Sequence, residues 1–254
     1  MNLAICTLSS VSVLKSPDLD APRVYELLFG ETLAIIDVRA GWCQVQLPDL
    51  EQCGWMMEGQ YQQVTAPIET TQIVDESGGY AVAGEDTTIE LFYGSPFPEQ
   101  GVLKTDAANY RILASPKSTD GSFDAERDRQ LLEDFVVTYL HAPFAFRGRT
   151  KHGLDDIGLC DLFYRQFGIT VSNNMETILS LGQPVDFFSE IQDGDLAFFE
   201  DKEGRIDHLG IVISEREVLH VVEKVRIDSL DDEGIFNQEK KMSTHKLRIV
   251  KRLF

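Results

Sequence analysis

The chain has few basic residues and no long apolar run. Of its 254 residues, 23 are Lys or Arg and 42 are Asp or Glu, so the formal net charge is -19. Because such a surface repels polyphosphates, we expect no nucleic-acid partner. No stretch approaches the roughly 18 apolar residues of a membrane span, and the first residues lack the basic and apolar segments of a secretory leader. We therefore expect a cytoplasmic protein without a membrane partner.

Cysteine is also scarce and irregularly spaced. Cys6, Cys43, Cys53 and Cys160 form neither a zinc-binding pattern nor a disulfide framework. We expect reduced thiols and no metal or other cofactor. The composition, 43% hydrophobic and 26% charged, is that of a globular protein long enough for two or three domains.

The first half of the chain has the sequence pattern of small β domains. Short alternating apolar stretches broken by turn residues fill residues 1–65, with a hairpin around the turn 39–41. This pattern predicts a small antiparallel barrel similar to bacterial SH3-like domains. Residues 66–122 carry the same pattern, so we interpret them as a second SH3-like domain that ends in a segment of linker composition, 115–122.

The periodicity changes at the start of the third predicted domain, residues 123–254. Apolar residues repeat at helical spacing over 128–140. A second predicted helix has Gly168 at its C-terminal end and an apolar stripe formed by Leu159, Leu162, Phe163 and Phe167. From Leu196 onward the pattern is mostly that of strands. Helices followed by an antiparallel sheet indicate an α+β domain.

Four short motifs in this last domain carry the chemistry. Residues 153–159 read Gly-Leu-Asp-Asp-Ile-Gly-Leu, and three further motifs follow at 194–199, 207–212 and 219–220. Their order and spacing resemble the NlpC-type cysteine peptidases, papain-like hydrolases of bacterial cell-wall peptides. The first motif of that family reads Gly-x-Asp-Cys-Ser-Gly-hydrophobic. In this chain Asp156 stands at the position of the cysteine and Ile157 at that of the serine.

The resemblance implies roles for several residues. Such a peptidase needs a thiolate at a helix N-terminus, a histidine that pairs with it, and a third polar residue that orients the histidine. The resemblance assigns the last two roles to His208 and His220. It also implies that Asp155 survives as a peptide-binding carboxylate. Met175 lies in a segment, 172–178, that replaces another substrate-binding motif of the family.

Further phrases point to one branch of this family. Residues 142–149 stand where relatives read Ala-Pro-Tyr-x-Trp-Gly-Gly-Arg, and 224–228 and 244–248 resemble C-terminal phrases of the dipeptidyl-peptidase VI type. That branch comprises γ-D-glutamyl-L-diamino-acid endopeptidases with SH3-like domains before the catalytic domain. Pro22 and Gln52 replace an acidic residue and a tyrosine that the branch uses for its substrate.

Three hypotheses concern the position that has lost its cysteine. Asp156 can cap the second helix by accepting free backbone N–H groups, which stabilises a helix by roughly 0.5–2 kcal/mol. Alternatively, Asp156, His208 and His220 form a metal-binding triad. A third hypothesis makes Cys160, one helical turn further on, a relocated nucleophile.

We therefore predict an α+β multidomain protein with two SH3-like barrels followed by a papain-like NlpC-type domain. The main functional hypothesis is a catalytically inactive homologue that binds a cell-wall peptide or a protein near the former active-site groove. One alternative is an active murein-peptide hydrolase that uses Cys160 or a metal-bound water held by Asp156, His208 and His220. Another is a structural subunit that pairs with an active paralogue.

Overall fold

The chain folds into two compact units. A computed structural model describes residues 2–47, 53–68, 70–119 and 121–254; Gln52 and Asp120 lie outside the described residues. One unit comprises Met1–Gly121 with Arg165–Thr170, and the other comprises Ser122–Tyr164 with Val171–Phe254. Within the described part, no helix is long and apolar enough to cross a membrane.

The first unit begins with a seven-stranded antiparallel sheet. Its strand order is β3-β2-β6-β5-β4-β1-β7. The strands are β1 Asn2–Cys6, β2 Ser10–Leu14, β3 Arg23–Leu28, β4 Thr32–Arg39, β5 Trp42–Gln46, β6 Cys53–Met57 and β7 Tyr61–Gln63. The predicted hairpin is confirmed between β4 and β5. Its two turn residues, Ala40 and Gly41, have φ angles of 51° and 82°, which match the right-handed twist of the strands.

A four-stranded sheet completes the first unit. Its order is β10-β11-β8-β9, with β8 Gln72–Ala83, β9 Thr87–Leu91, β10 Val102–Lys104 and β11 Asn109–Ser118. The linker interpretation is wrong for residues 115–118, because β11 continues through them and pairs with β8. A register shift between Ala114 and Pro116 accommodates the proline in the strand. The assignment of this sheet to a second SH3-like barrel stays a prediction.

The second unit combines three short helices with a seven-stranded sheet. The helices are α1 Arg129–Tyr139, α2 Asp156–Arg165 and α3 Met175–Leu179, and β12 Arg149–Thr150 pairs with β13 Gly153–Leu154. The sheet has the order β14-β20-β15-β16-β17-β18-β19, and β19 also pairs with β20. Its strands are β14 Gln183–Val185, β15 Leu196–Glu200, β16 Ile206–Ser214, β17 Glu217–Val221, β18 Val225–Leu230, β19 Gly234–Asn237 and β20 Met242–Arg252. The papain-like layout itself stays a prediction.

Helix α2 is buried around its whole circumference, and this fixes its first turn. Every residue from Ile157 to Tyr164 is buried. Asp161 forms a buried ion pair with Arg149 of β12, with 2.6 Å between Oδ2 and Nη2. A Cβ atom on Gly158 would lie 2.0 Å from the carbonyl oxygen of Gly148, so only glycine allows the helix to approach this loop. The helix start is therefore held rigidly for the site described next.

Candidate functional site at the start of helix α2

A pocket of about 380 Å³ opens at the N-terminus of α2. It brings together most of the site residues expected from the sequence: Asp155, Asp156, Ile157, Met175 and His208. Its other lining residues are Phe144, Phe146, Arg147, Asp207 and Val221. Ile157 and Met175 line this pocket without closing it.

The helix cap is Asp155, and the expectation that Asp156 is the cap is wrong. Asp155 Oδ1 accepts the backbone N–H of Gly158 at 2.8 Å, which is the cap bond to the third helical residue. Its Oδ2 accepts the N–H of Arg147 at 2.8 Å. Burial and the neighbouring charge of Asp156 raise the pKa of this carboxyl to about 6. Because both oxygens are already held by the backbone, Asp155 positions the helix start and the 147 loop.

Asp156 is the first residue of α2 and joins the helix to the sheet. Its Oδ2 lies 3.1 Å from Nδ1 of His208 and accepts the N–H of Leu209 at 3.0 Å, while Oδ1 accepts its own helix's Ile157 N–H at 2.9 Å. Burial opposes ionisation, yet the hydrogen bond and charge of His208 and these two N–H groups outweigh it. They lower the pKa of the Asp156 carboxyl, so the group is a carboxylate.

A row of hydrogen bonds continues from Asp156 into the sheet. His208 Nε2 lies 2.9 Å from Nδ1 of His220, and His220 Nε2 lies 3.0 Å from Oδ2 of Asp228. The row ends at Arg226, whose Nε and Nη2 donate to the two oxygens of Asp228 at 2.6 and 3.0 Å. Antiparallel pairing of β16, β17 and β18 places these side chains together.

The donors in the inner part of the row follow from the carboxylate of Asp228. Burial lowers the pKa of His220, which favours its neutral form with a single ring N–H. Because a carboxylate only accepts, this N–H lies on Nε2 and donates to Asp228. Nδ1 of His220 then accepts from Nε2 of His208.

Two members of this site escaped the sequence analysis. Asp228 was contained in the phrase 224–228, but nothing in the linear pattern showed that it contacts His220. Burial opposes its ionisation, but hydrogen bonds from His220 and Arg226 lower its pKa to about 2. His245 of β20 stacks on His208 with ring centroids 4.3 Å apart. The phrase 244–248 was the available signal for it.

The metal-triad hypothesis finds no support in these contacts. Asp156, His208 and His220 form a row in which each ring nitrogen faces the next group, so they do not converge on one point. Across residues 2–47, 53–68, 70–119 and 121–254, no group of three His, Cys, Asp or Glu side chains is placed to hold a metal ion.

Cys160 is placed unsuitably for a nucleophile. It is 1% exposed within α2 and is absent from the pocket lining. Burial raises the pKa of its thiol well above 9, and the charges of Asp156 and Asp155 add to this effect. Because the thiolate is the reactive form, this side chain is an inert part of the core.

Comparison with known proteins identifies the family of this unit. Residues 141–244 match the NlpC/P60 family, and residues 13–60 match the bacterial dipeptidyl-peptidase Sh3 domain. Residues 141–244 are thus an NlpC/P60 domain. The recognition made from the sequence motifs is thereby confirmed, as is the presence of an SH3-like domain.

Proteins similar to this chain include curated peptidases and solved structures. Dipeptidyl-peptidase 6 of Lysinibacillus sphaericus is 22% identical over 266 residues, which cover 91% of this chain and 92% of that protein. A probable endopeptidase of Mycobacterium tuberculosis is 31% identical over 111 residues, 42% of this chain and 28% of its own length. The crystal structure of an NlpC/P60 family protein from Bacillus cereus ATCC 10987 shares the fold, with a TM-score of 0.76, 17% identity and 99% coverage of both chains.

The pH dependence of stability tests the placement of His245. Burial and the charges of His208 and His220 lower its pKa from 6.5 to about 4, so the folded protein binds fewer protons than the unfolded one between these values. This contribution to stability is present above pH 6.5 and is lost as the pH falls through 4. Relative to His245→Gln, the free energy of unfolding of the natural chain should fall by about 1–2 kcal/mol over this range, measured by urea unfolding, because solvent partly screens the half-buried ring. A difference independent of pH would contradict the placement.

Alkylation tests the burial of Cys160. Iodoacetamide at pH 7.5 should modify the exposed Cys53 of the folded protein and leave Cys160 unmodified, because the thiol of Cys160 is both buried and protonated. Peptide mapping by mass spectrometry measures both sites, and unfolding in urea serves as the control in which both react. Modification of Cys160 in the folded protein at the rate of Cys53 would restore it as a candidate nucleophile.

Proposed function

We propose that this chain is a catalytically inactive NlpC/P60 protein that binds a cell-wall peptide or a protein partner in the pocket at the start of α2. The observation that carries the proposal is the 3.1 Å contact between the carboxylate of Asp156 and Nδ1 of His208. It occupies the place where the resemblance expects a thiolate and an imidazolium. The resemblance to the family indicates a peptide as the ligand, and the pocket is the proposed binding site.

Asp156 is a poor attacking group for two reasons. Attack of a carboxylate on an amide forms an anhydride, which reverts faster than it expels an amine. In addition, both oxygens of Asp156 are held by hydrogen bonds, and these contacts stabilise the ionised form. A carboxylate with a lowered pKa is also a weak general base for activating water. The geometry thus keeps the charge of a thiolate without its reactivity.

The pocket retains features suited to a ligand. Phe144 and Phe146 are 47% and 53% exposed beside it, and aromatic faces of this kind contribute much of the binding free energy in recognition sites. The charged groups Arg147, Asp156 and Asp207 also line the pocket, giving it polar contacts of both signs. Ile157 and Met175 supply an apolar floor. A short peptide with apolar and charged groups fits this lining.

The finer fold assignment supports the same proposal. We infer that the four-stranded sheet of the first unit is a diverged SH3-like barrel and that the second unit has a papain-like α+β layout. Helix α2 stands before an antiparallel sheet that carries both histidines, which is the order that a papain-like site requires. The likeness to the Bacillus cereus structure over 99% of the chain supports this arrangement.

Binding without cleavage is the expected behaviour. The purified protein should bind L-Ala-γ-D-Glu-diaminopimelate in calorimetry and leave it intact in mass spectrometry. Phe144→Ala should weaken binding at least fivefold, because it removes an aromatic face from the pocket. Cleavage of the peptide by the natural chain would overturn the proposal of inactivity.

Phe187 offers a matched control for the binding site. It is 65% exposed in the same unit and does not line the pocket. Phe187→Ala should therefore bind the peptide as the natural chain does. Equal losses in both variants would place the ligand elsewhere, and undetectable binding by the natural chain would overturn the peptide-binding proposal.

A further inference from the structure

Arg147 adopts a backbone conformation that favours glycine. Its φ angle is 55°, in the left-handed region that costs most residues roughly 1–2 kcal/mol. The family phrase that resembles residues 142–149 has glycine at this position, so the arginine is a departure particular to this chain. The backbone there is held in place because the N–H of Arg147 donates to Asp155 Oδ2 at 2.8 Å. A strained residue beside a pocket suggests a functional reason for its side chain.

The guanidinium group of Arg147 lies against an aromatic ring, but one of its nitrogen atoms lacks a hydrogen-bond partner. Its central carbon lies 5.2 Å from the ring centroid of Phe146, a cation–π distance that orients the planar group. Its Nη1 atom is shielded from solvent and has no hydrogen-bond partner among the described residues. An unsatisfied buried donor costs roughly 1–3 kcal/mol, and more when it is charged. A ligand that accepts a hydrogen bond here would remove that cost.

The other charges of the pocket select the kind of acceptor. The carboxylate of Asp156 is paired with His208, and both oxygens of Asp155 are held by backbone N–H groups. Asp207 adds an exposed negative charge to the lining. A doubly charged phosphate would be repelled by these carboxylates more strongly than a singly charged carboxylate. The planar fork of a guanidinium also matches a carboxylate through two parallel hydrogen bonds.

We propose that Arg147 binds a free carboxylate of the pocket's ligand and so makes this chain selective for peptides that carry one. The inference rests on the proposed function, because it assumes that the pocket binds a peptide. It adds a residue that determines specificity, at a position where the resemblance expects no side chain. The ligand class is a short peptide with an unblocked carboxylate within reach of the guanidinium.

A pair of peptides that differ in one group tests this. Calorimetry would compare L-Ala-γ-D-Glu amidated at its γ-carboxyl, which keeps one free carboxylate, with the same peptide amidated at both carboxyls, which has none. The natural chain should bind the acid at least tenfold more tightly than the peptide without a carboxylate. Arg147→Gly should bind both with similar Kd values, and Arg147→Lys should show an intermediate preference because an ammonium lacks the planar fork.

The binding results distinguish a failure of the role of Arg147 from a failure of the proposed function. If the natural chain binds both peptides equally, the role of Arg147 is wrong while peptide binding stands. If Arg147→Gly keeps the full preference for the acid, another group recognises the carboxylate and the inference also fails. If the natural chain binds neither peptide, the proposed function and this inference fall together. Thermal unfolding checks that Arg147→Gly is folded; its melting temperature should not be lower, because glycine relieves the left-handed strain.

Discussion

The contact between Asp156 and His208 is the constraint on which the site depends. One carboxylate oxygen meets both the imidazole of His208 and the backbone N–H of Leu209, so a single group ties the first turn of α2 to strand β16. The row then runs through His220 to Asp228 and Arg226. A buried polar row of this kind is stable only when every member has its partner.

Under the proposed function, a carboxylate at the position where a thiolate is expected preserves the electrostatics of a peptidase without its chemistry. The same N-terminal position that lowers a thiol's pKa also favours an ionised aspartate. His208 therefore has an anionic partner in Asp156, and His220 has the ring of His208 as its hydrogen-bond partner. The pocket beside them stays lined with aromatic, apolar and charged groups, which is a lining that a binding protein can use.

The residues next to this contact have different roles. Both oxygens of Asp155 accept backbone N–H groups, so this residue fixes the helix start and the loop that carries Arg147. Cys160 of α2 and Ile178 of α3 are buried in the core of the unit. The pocket itself is lined by residues of the loop 144–147, by the Asp156–His208 pair, and by Ile157, Met175 and Asp207 among others.

Several features could be predicted from the linear pattern because they depend on local properties. The 3.6-residue repeat located α1 and α2, the hairpin turn was marked by its Ala-Gly pair, and the motif spacing pointed to Asp156, His208 and His220 together. The cap was assigned to the wrong aspartate because two adjacent carboxylates at a helix start look equivalent in a sequence. Only the loop geometry around Arg147 decides which one reaches the N–H of Gly158.

The sequence by itself determined that the expected cysteine is an aspartate, that two histidines accompany it, and that the chain carries a large negative charge. Tertiary structure alone decided that Asp228 and His245 join them and that Arg147 holds its guanidinium beside the pocket. The reason is physical. Periodicity reports which face of one helix or strand is buried, whereas contacts between side chains distant in the sequence depend on strand register and loop conformation, which the linear pattern does not encode.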